Sequence, residues 1–214
     1  SKVDIVQTVG RAIRLSNNKK IGTIIIPVFL EKGKQAETVI SKSNFKPVWD
    51  IVNALKSHDE ELSIELDSFR TELGKQKKTS RHVTGLSKIV LDLPAEYDAK
   101  FSRAISTQLV ETVTNSWNFW YGLIERYINT NKITAFNIEH KHCDEEGYKV
   151  GQWINSQRSK KDSLPKESIE KLENLPGWTW DKNEAEWQLF VDELLQFTNK
   201  HGYARPEMNY IAPS

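Results

Sequence analysis

The chain has 214 residues, a formal net charge of +1 and 28% charged side chains. That length allows one medium domain or two small ones, and near-neutrality excludes a surface that is basic all over, so any anion-binding face must be local. A single cysteine, Cys143, excludes an internal disulfide and fits a reducing compartment. No apolar run approaches the ~20 residues of a membrane span and no signal-peptide pattern is present, so a cytoplasmic protein without a membrane partner is expected.

In chain order, the first predicted element is an amphipathic helix over 3–15. Its sequence QTVGRAIR, 7–14, places Gln7, Arg11 and Arg14 in one narrow sector at about 100° per residue, with Gly10 beside them adding no side chain. Ile5, Val6, Val9, Ala12 and Ile13 take the opposite side. Two planar, permanently charged guanidiniums and an amide on one rigid face suit phosphate oxygens. The residues alone also fit a solvated basic face. Next, IGTIIIPVFL over 21–30 is β-branched and apolar on both faces, which predicts a strand buried in an α/β sheet. One helix and one strand cannot close a domain. With no initiator methionine and an opening directly into a helix, the sequence reads as a piece of a longer protein.

The second region, 34–115, is predicted mostly helical. Val48, Trp49, Ile51, Val52 and Leu55 form one apolar stripe, and Leu62, Ile64, Leu66, Phe69 and Leu73 another. Gly74 and the following KQKKTSR, 75–81, read as a helix stop and a solvated basic loop. SKIVLDLP, 87–94, is a candidate short strand closed by Pro94, and a helix is predicted over 96–114.

The third region changes composition: six of the seven tryptophans lie between Trp117 and Trp187, so it should have its own aromatic core. Helices are predicted over 117–131, 148–160, 166–174 and 184–201. The opening W-x-x-(W/F/Y) and the apolar spacing of the first of these recur in the last, which indicates an internal repeat whose second copy is incomplete at 214. Within this region Gln152, Asn155, Gln157, Arg158, Lys160 and Lys161 form a polar, basic stretch on or just after a helix. Six bases (149, 158, 160, 161, 166, 171) face three acids (162, 167, 170) over 149–171, so amides and cations there are suited to phosphates and base edges. The plain alternative is a solvated face over a core built on Trp153 and Ile154. Trp117, Trp120, Trp178 and Trp180 are read as core rather than as base-stacking platforms. His140, His142 and Cys143 in HKHC lack the second ligand pair that zinc needs, so no metal is expected.

A helix carrying Q-x-x-G-R-x-x-R followed by an apolar strand resembles motif VI of bacterial superfamily 2 (DEAD/DEAH-like) helicases, in the second RecA-like domain; QTVGRAIR agrees at all four marked positions. SWNFWYGLIERYI, then G-x-W-x-x-x-Q-R (151–158), Leu164, Ile169 to Leu172 and GWTWD (177–181), is similar to the helicase-associated domain found as C-terminal repeats of bacterial helicases. The resemblance implies a mainly α chain. It would hold an α/β RecA-like remnant at 1–33, a helical connector at 34–115, one helicase-associated repeat at 116–182 and the start of a second at 183–214. It further implies that Arg11 and Arg14 reach the γ-phosphate of ATP, bound with Mg²⁺ between two RecA-like domains, while Gln7 and Gly10 help seat the nucleotide. The parent would be an ATP-dependent helicase that acts on nucleic acid, DNA by analogy. No phosphate-cradling G-x-x-x-x-G-K-(S/T) loop and no acidic Mg²⁺-binding motif occur in these residues, so no ATP is expected to be bound or hydrolysed by them alone. Two readings of other classes are a nucleic-acid-binding module without motor function and a scaffold that meets a protein partner.

Overall fold

The structure, a computed structural model, describes residues 23–28, 45–94 and 97–206. Among them the fold is mainly α, with seven α-helices and two 3₁₀ turns: α1 Lys46–Lys56, α2 Glu60–Lys75, α3 Ala99–Val113, α4 Ser116–Asn131, α5 Val150–Ser159, α6 Lys166–Glu173 and α7 Lys182–His201. The 3₁₀ turns, Lys78–Ser80 and Lys161–Ser163, follow α2 and α5. The predicted helix over 3–15, with Gln7, Gly10, Arg11 and Arg14, lies outside the described residues.

Local chemistry explains most of the helix ends. Asp59, Asp98 and Asp181 each stand just before a helix and accept a backbone N–H of its first turn, from Leu62, Phe101 and Glu184. Pro47 occupies the first turn of α1, where its missing N–H costs nothing. α7 ends at Gly202, whose φ of +77° lets its N–H close back on the Thr198 carbonyl.

No strand occurs among the described residues, which corrects two expectations. Of the strand expected over 21–30, residues 23–28 are described; they are irregular and Ile25 is 86% exposed, the opposite of a doubly buried strand. SKIVLDLP is irregular too, with Val90 85% exposed. Both segments have the β-branched composition of strands, but a strand exists only where a second segment completes its ladder, and none does among the described residues. Their apolar residues anchor individually instead: Val28, Leu91 and Leu93 pack on a cluster of Phe45, Phe101 and Ile105.

The described chain divides into two compact units, with the division between Arg126 and Tyr127 inside α4. In the first, α1, α2 and α3 pack pairwise around Val52, Leu62, Leu66, Leu109 and Val110. α2 also meets the first part of α4 with backbone against backbone. A Cβ at Gly74 would lie 2.0 Å from the Phe119 carbonyl oxygen, and one at Gly122 would lie 2.0 Å from that of Thr71. Gly74, which reads as a helix stop in the sequence, lies in the last turn of α2, which ends at Lys75, and is a close-packing residue as well. Around this crossing the guanidiniums of Arg70 and Arg81 sit 5.1 and 4.8 Å from the Phe119 ring centre. Lys75 pairs with Glu125 at 3.2 Å, and Arg126 donates to the Gln76 carbonyl at 2.8 Å.

In the second unit, the core comprises Ile128, Ala135, Ile138, Val150, Ile154, Leu172 and Leu175. The connection from α4 to α5 is organised by Asp144, whose carboxylate accepts the N–H groups of Glu146 and Tyr148. Gly147, at φ +84°, makes the turn between them possible.

Two predictions follow from the first unit. Gly122→Ala should lower stability by roughly 1–3 kcal/mol or more, because the clash is with backbone that cannot rotate away; urea unfolding matching the parent chain would contradict the crossing. Asp59 is held below its ordinary pKa of 3.8 first by the Lys88 ammonium, which donates to it, and then by the Leu62 N–H. A depressed carboxylate contributes stability above its unfolded pKa and loses it as pH falls through the folded one. Stability should therefore decline below about pH 4, and Asp59→Asn should flatten that decline; an unchanged acid titration would contradict it.

Candidate nucleic-acid interface

The residues singled out around α5 are sorted by one close approach. Gly151 lies against the α4–α5 connection, where an added Cβ would fall 1.8 Å from the Glu139 carbonyl oxygen. With Gly151 turned inward, helical spacing turns Ile154 and Gln157 inward as well, and both are buried. Gln152 and Ser159 emerge on the outer side. Asn155 is half-buried between the two sides, and its amide meets Nδ1 of the exposed His140 at 2.8 Å.

Arg158 follows Gln157 toward the protein. Its Nε donates to the Thr179 carbonyl at 2.8 Å, Nη1 to the Asn155 Oδ1 at 3.3 Å and Nη2 to the Ala135 carbonyl at 3.4 Å. Its guanidinium carbon also stands 5.3 Å from the Trp178 ring centre. Burial lowers its pKa from the ordinary arginine value. The guanidinium therefore ties α5 to both the segment after α4 and the segment after α6. That placement answers the sequence reading of a contiguous six-residue face: Gln157 and Arg158 are turned to the protein, while Gln152, Lys160 and Lys161 are exposed.

The exposed edge continues from Ser159 through Lys160 into the 3₁₀ turn Lys161–Ser163. Lys161 Nζ stands 4.9 Å from the Trp180 ring centre, and the Trp180 indole meets Trp178 edge-on at 5.1 Å. The Trp180 N–H donates to Glu173 at 2.8 Å. These contacts set the Lys161 ammonium over an aromatic ring that Trp178 and Glu173 hold in place. Gly177, at φ +67°, brings this tryptophan turn against Thr134, 2.6 Å from where a Cβ would stand. The cation–ring pairs 158–178 and 161–180 were not visible in the sequence, because residues about twenty apart have no periodic relation; only the shared density of Trp, Arg and Lys hinted at them.

HKHC divides its side chains among different tasks. The His142 ring nitrogen meets the Tyr127 hydroxyl, His140 meets Asn155, and Cys143 is exposed. No group of three or more His, Cys, Asp or Glu able to hold a metal occurs among the described residues. No helix among them is long and apolar enough to cross a membrane.

Residues 114–181 match the family described as the helicase associated domain. The C-terminal region of this chain is thus helicase-related. No curated protein and no solved structure matches the chain. The match takes in α4, α5, α6 and the tryptophan turn, and so it contains both the Arg158 tie and the exposed edge at Gln152, Lys160 and Lys161.

Arg158→Ala should destabilise the second unit by roughly 2–3 kcal/mol, since it takes these donors from the Thr179 and Ala135 carbonyls and removes the cation beside Trp178. Arg158→Lys should recover little of this, because one ammonium cannot reproduce the planar fork. Thermal unfolding followed by tryptophan fluorescence would check both; a loss no larger than that of Lys160→Ala would contradict the structural role.

Proposed function

We propose that this chain is the C-terminal part of an ATP-dependent nucleic-acid helicase or translocase, and that its second unit supplies a nucleic-acid contact. The observation that carries the reading is the helicase associated domain over 114–181. The exposed edge of that region supports it. Gln152 and Ser159 offer polar contacts to phosphates, and Lys160 and Lys161 add cations on a short rigid turn, with Lys161 braced on Trp180. DNA is the proposed partner, bound chiefly through its backbone. Asn155 contributes by holding His140 at the margin of this edge. Gln157 and Arg158 act beneath it by fixing the shape of the surface.

The motor half of the proposal rests on QTVGRAIR, which lies outside the described residues. Arg11 and Arg14 would stabilise the charge that develops on the transferred γ-phosphoryl of Mg²⁺-bound ATP, and Gln7 would position the nucleotide, with Gly10 leaving it room. The 214 residues contain no Walker A loop, so the nucleotide would be held mainly by the other RecA-like domain of a complete motor. These residues alone would hold no ATP.

Fluorescence anisotropy with a labelled duplex checks the reading in the intact chain. Affinity should fall linearly with log salt, and Lys160→Glu with Lys161→Glu should weaken binding by roughly tenfold or more and reduce the salt slope by about 2. Unchanged binding in that variant would exclude the proposed edge. Steady ATP turnover by the purified 214 residues would exclude the division of labour proposed for the arginine helix.

A further inference from the structure

The basic loop after α2 serves neither the core nor the nucleic-acid edge of the second unit. No acid occurs over 73–91, while 75, 77, 78, 81 and 88 are basic. Lys75 pairs with Glu72 and Glu125, and Lys88 with Asp59 and Glu61. Arg81 turns to the protein: its Nε donates to the Leu73 carbonyl at 3.0 Å, and its guanidinium carbon stands 4.8 Å from the Phe119 ring centre. Lys77, Lys78 and Thr79 are exposed beyond the last turn of α2. The loop that carries them is held from several sides. The Gln76 side chain donates to the His82 carbonyl at 3.1 Å and accepts the His82 N–H at 2.7 Å, which closes 76–82 on itself. Arg126 of α4 donates to the Gln76 carbonyl at 2.8 Å, and the Val83 N–H donates to the Thr107 hydroxyl of α3 at 3.0 Å. Cations fixed in this way bind an anion without a further ordering cost.

The same local arrangement occurs in the second unit. The sequence KKTS at 77–80 and KKDS at 160–163 each enclose a 3₁₀ turn that follows a helix, Lys78–Ser80 and Lys161–Ser163. In each, the serine N–H and hydroxyl return to the carbonyl of the first lysine, at 2.9 and 3.2 Å for Ser80 and at 2.9 and 2.9 Å for Ser163. Each has a neighbouring arginine whose Nε donates to a backbone carbonyl and whose guanidinium stands by an aromatic ring, Arg81 by Phe119 and Arg158 by Trp178. The one difference within the four residues favours anions: Thr79 stands where the second turn has Asp162. Residues 77–80 lie outside the stretch 114–181 that matches the helicase associated domain, so the family match does not account for them. Two copies of one cation-presenting turn suit a polyanion whose phosphates repeat along a backbone.

We propose that the turn at 77–80 is a second nucleic-acid contact, made by the first unit, in which Lys77 and Lys78 take backbone phosphates and Thr79 adds a hydroxyl. It positions the duplex without reading its bases. This rests on the reading of the second unit as a nucleic-acid binder. Arg81 and Gln76 are positioning residues that hold the turn.

Anisotropy titrations of labelled duplexes with the intact chain, between about 50 and about 200 mM salt, test this. Lys77→Gln with Lys78→Gln should reduce the slope of log affinity against log salt by about 2, and by the same amount for duplexes of different sequence. Lys132→Gln with Lys200→Gln makes the same change of charge at two other exposed lysines and should leave the slope as in the wild-type chain. Far-UV CD should be unchanged; Lys77→Gln alone, with an expected slope reduction of about 1, decides the matter should the double variant lose helix content. A wild-type slope in the 77/78 variant, or a reduction matched by the 132/200 variant, would overturn the proposal and leave the edge at Lys160 and Lys161 standing. A loss that depends on duplex sequence would overturn the backbone mode of contact. A wild-type chain that binds no duplex at any of these salt concentrations would overturn both the proposal and the reading it rests on.

Discussion

The second unit depends on where one guanidinium goes. Arg158 gives its donors to the carbonyls of Thr179 and Ala135 and to Asn155, and its guanidinium stands 5.3 Å from the Trp178 ring centre. The segment after α4 and the segment after α6 are thereby both fixed to α5. Even a half-buried cation is costly unless it is hydrogen-bonded, and here three of its nitrogens donate. What Arg158 holds in place is the tryptophan turn on which Lys161 rests. The polar edge proposed to meet nucleic acid is thus shaped by a residue that does not itself face outward.

Glycine supplies the other half of the architecture. Gly151 and Gly177 let the connection after α4 come close to α5 and to the tryptophan turn, just as Gly74 and Gly122 let α2 and α4 cross in the first unit. In each place the close approach sets an aromatic ring within reach of a cation, Phe119 under Arg70 and Arg81, Trp178 under Arg158. The inward placing of Gly151, Gln157 and Arg158 follows from this geometry. The aromatic core expected from the tryptophan density is corrected, however: the buried core of the second unit is mostly aliphatic, Ile128, Ile138, Val150, Ile154, Leu172 and Leu175, while Trp153, Trp178 and Trp180 are half-buried.

Much of the fold was legible because helices announce themselves locally. Apolar spacing alone places helices over 117–131, 148–160, 166–174 and 184–201, and α4 to α7 lie within about two residues of those bounds; their caps, such as Asp181 and Gly202, come from the structure. The strands were misread for the opposite reason. TIIIPVF and SKIVLDLP have strand composition, but whether a partner segment lies alongside is not a local property, and no ladder forms among the described residues. Gly74 reads as a helix stop, and α2 does end one residue after it; that its Cβ-free surface also serves a helix distant in sequence is what no local pattern shows. Around α5 the polar character of 152–161 was plain, yet its division into an inward pair, Gln157 and Arg158, and an outward set at Gln152, Lys160 and Lys161 depends on Gly151 facing the Glu139 carbonyl. That contact joins residues twelve apart through a loop, beyond what periodicity encodes.

The central claim is that the helicase-related region presents nucleic acid with the outer edge of α5 and the turn after it. The most direct measurement is a ¹H–¹⁵N NMR titration of the intact chain with a short DNA duplex. The account predicts shifts at the amides of Gln152, Ser159, Lys160, Lys161 and Asp162, with the Nε–H of Arg158 little moved. Shifts that bypass this edge, or a titration without shifts at low salt, would contradict it.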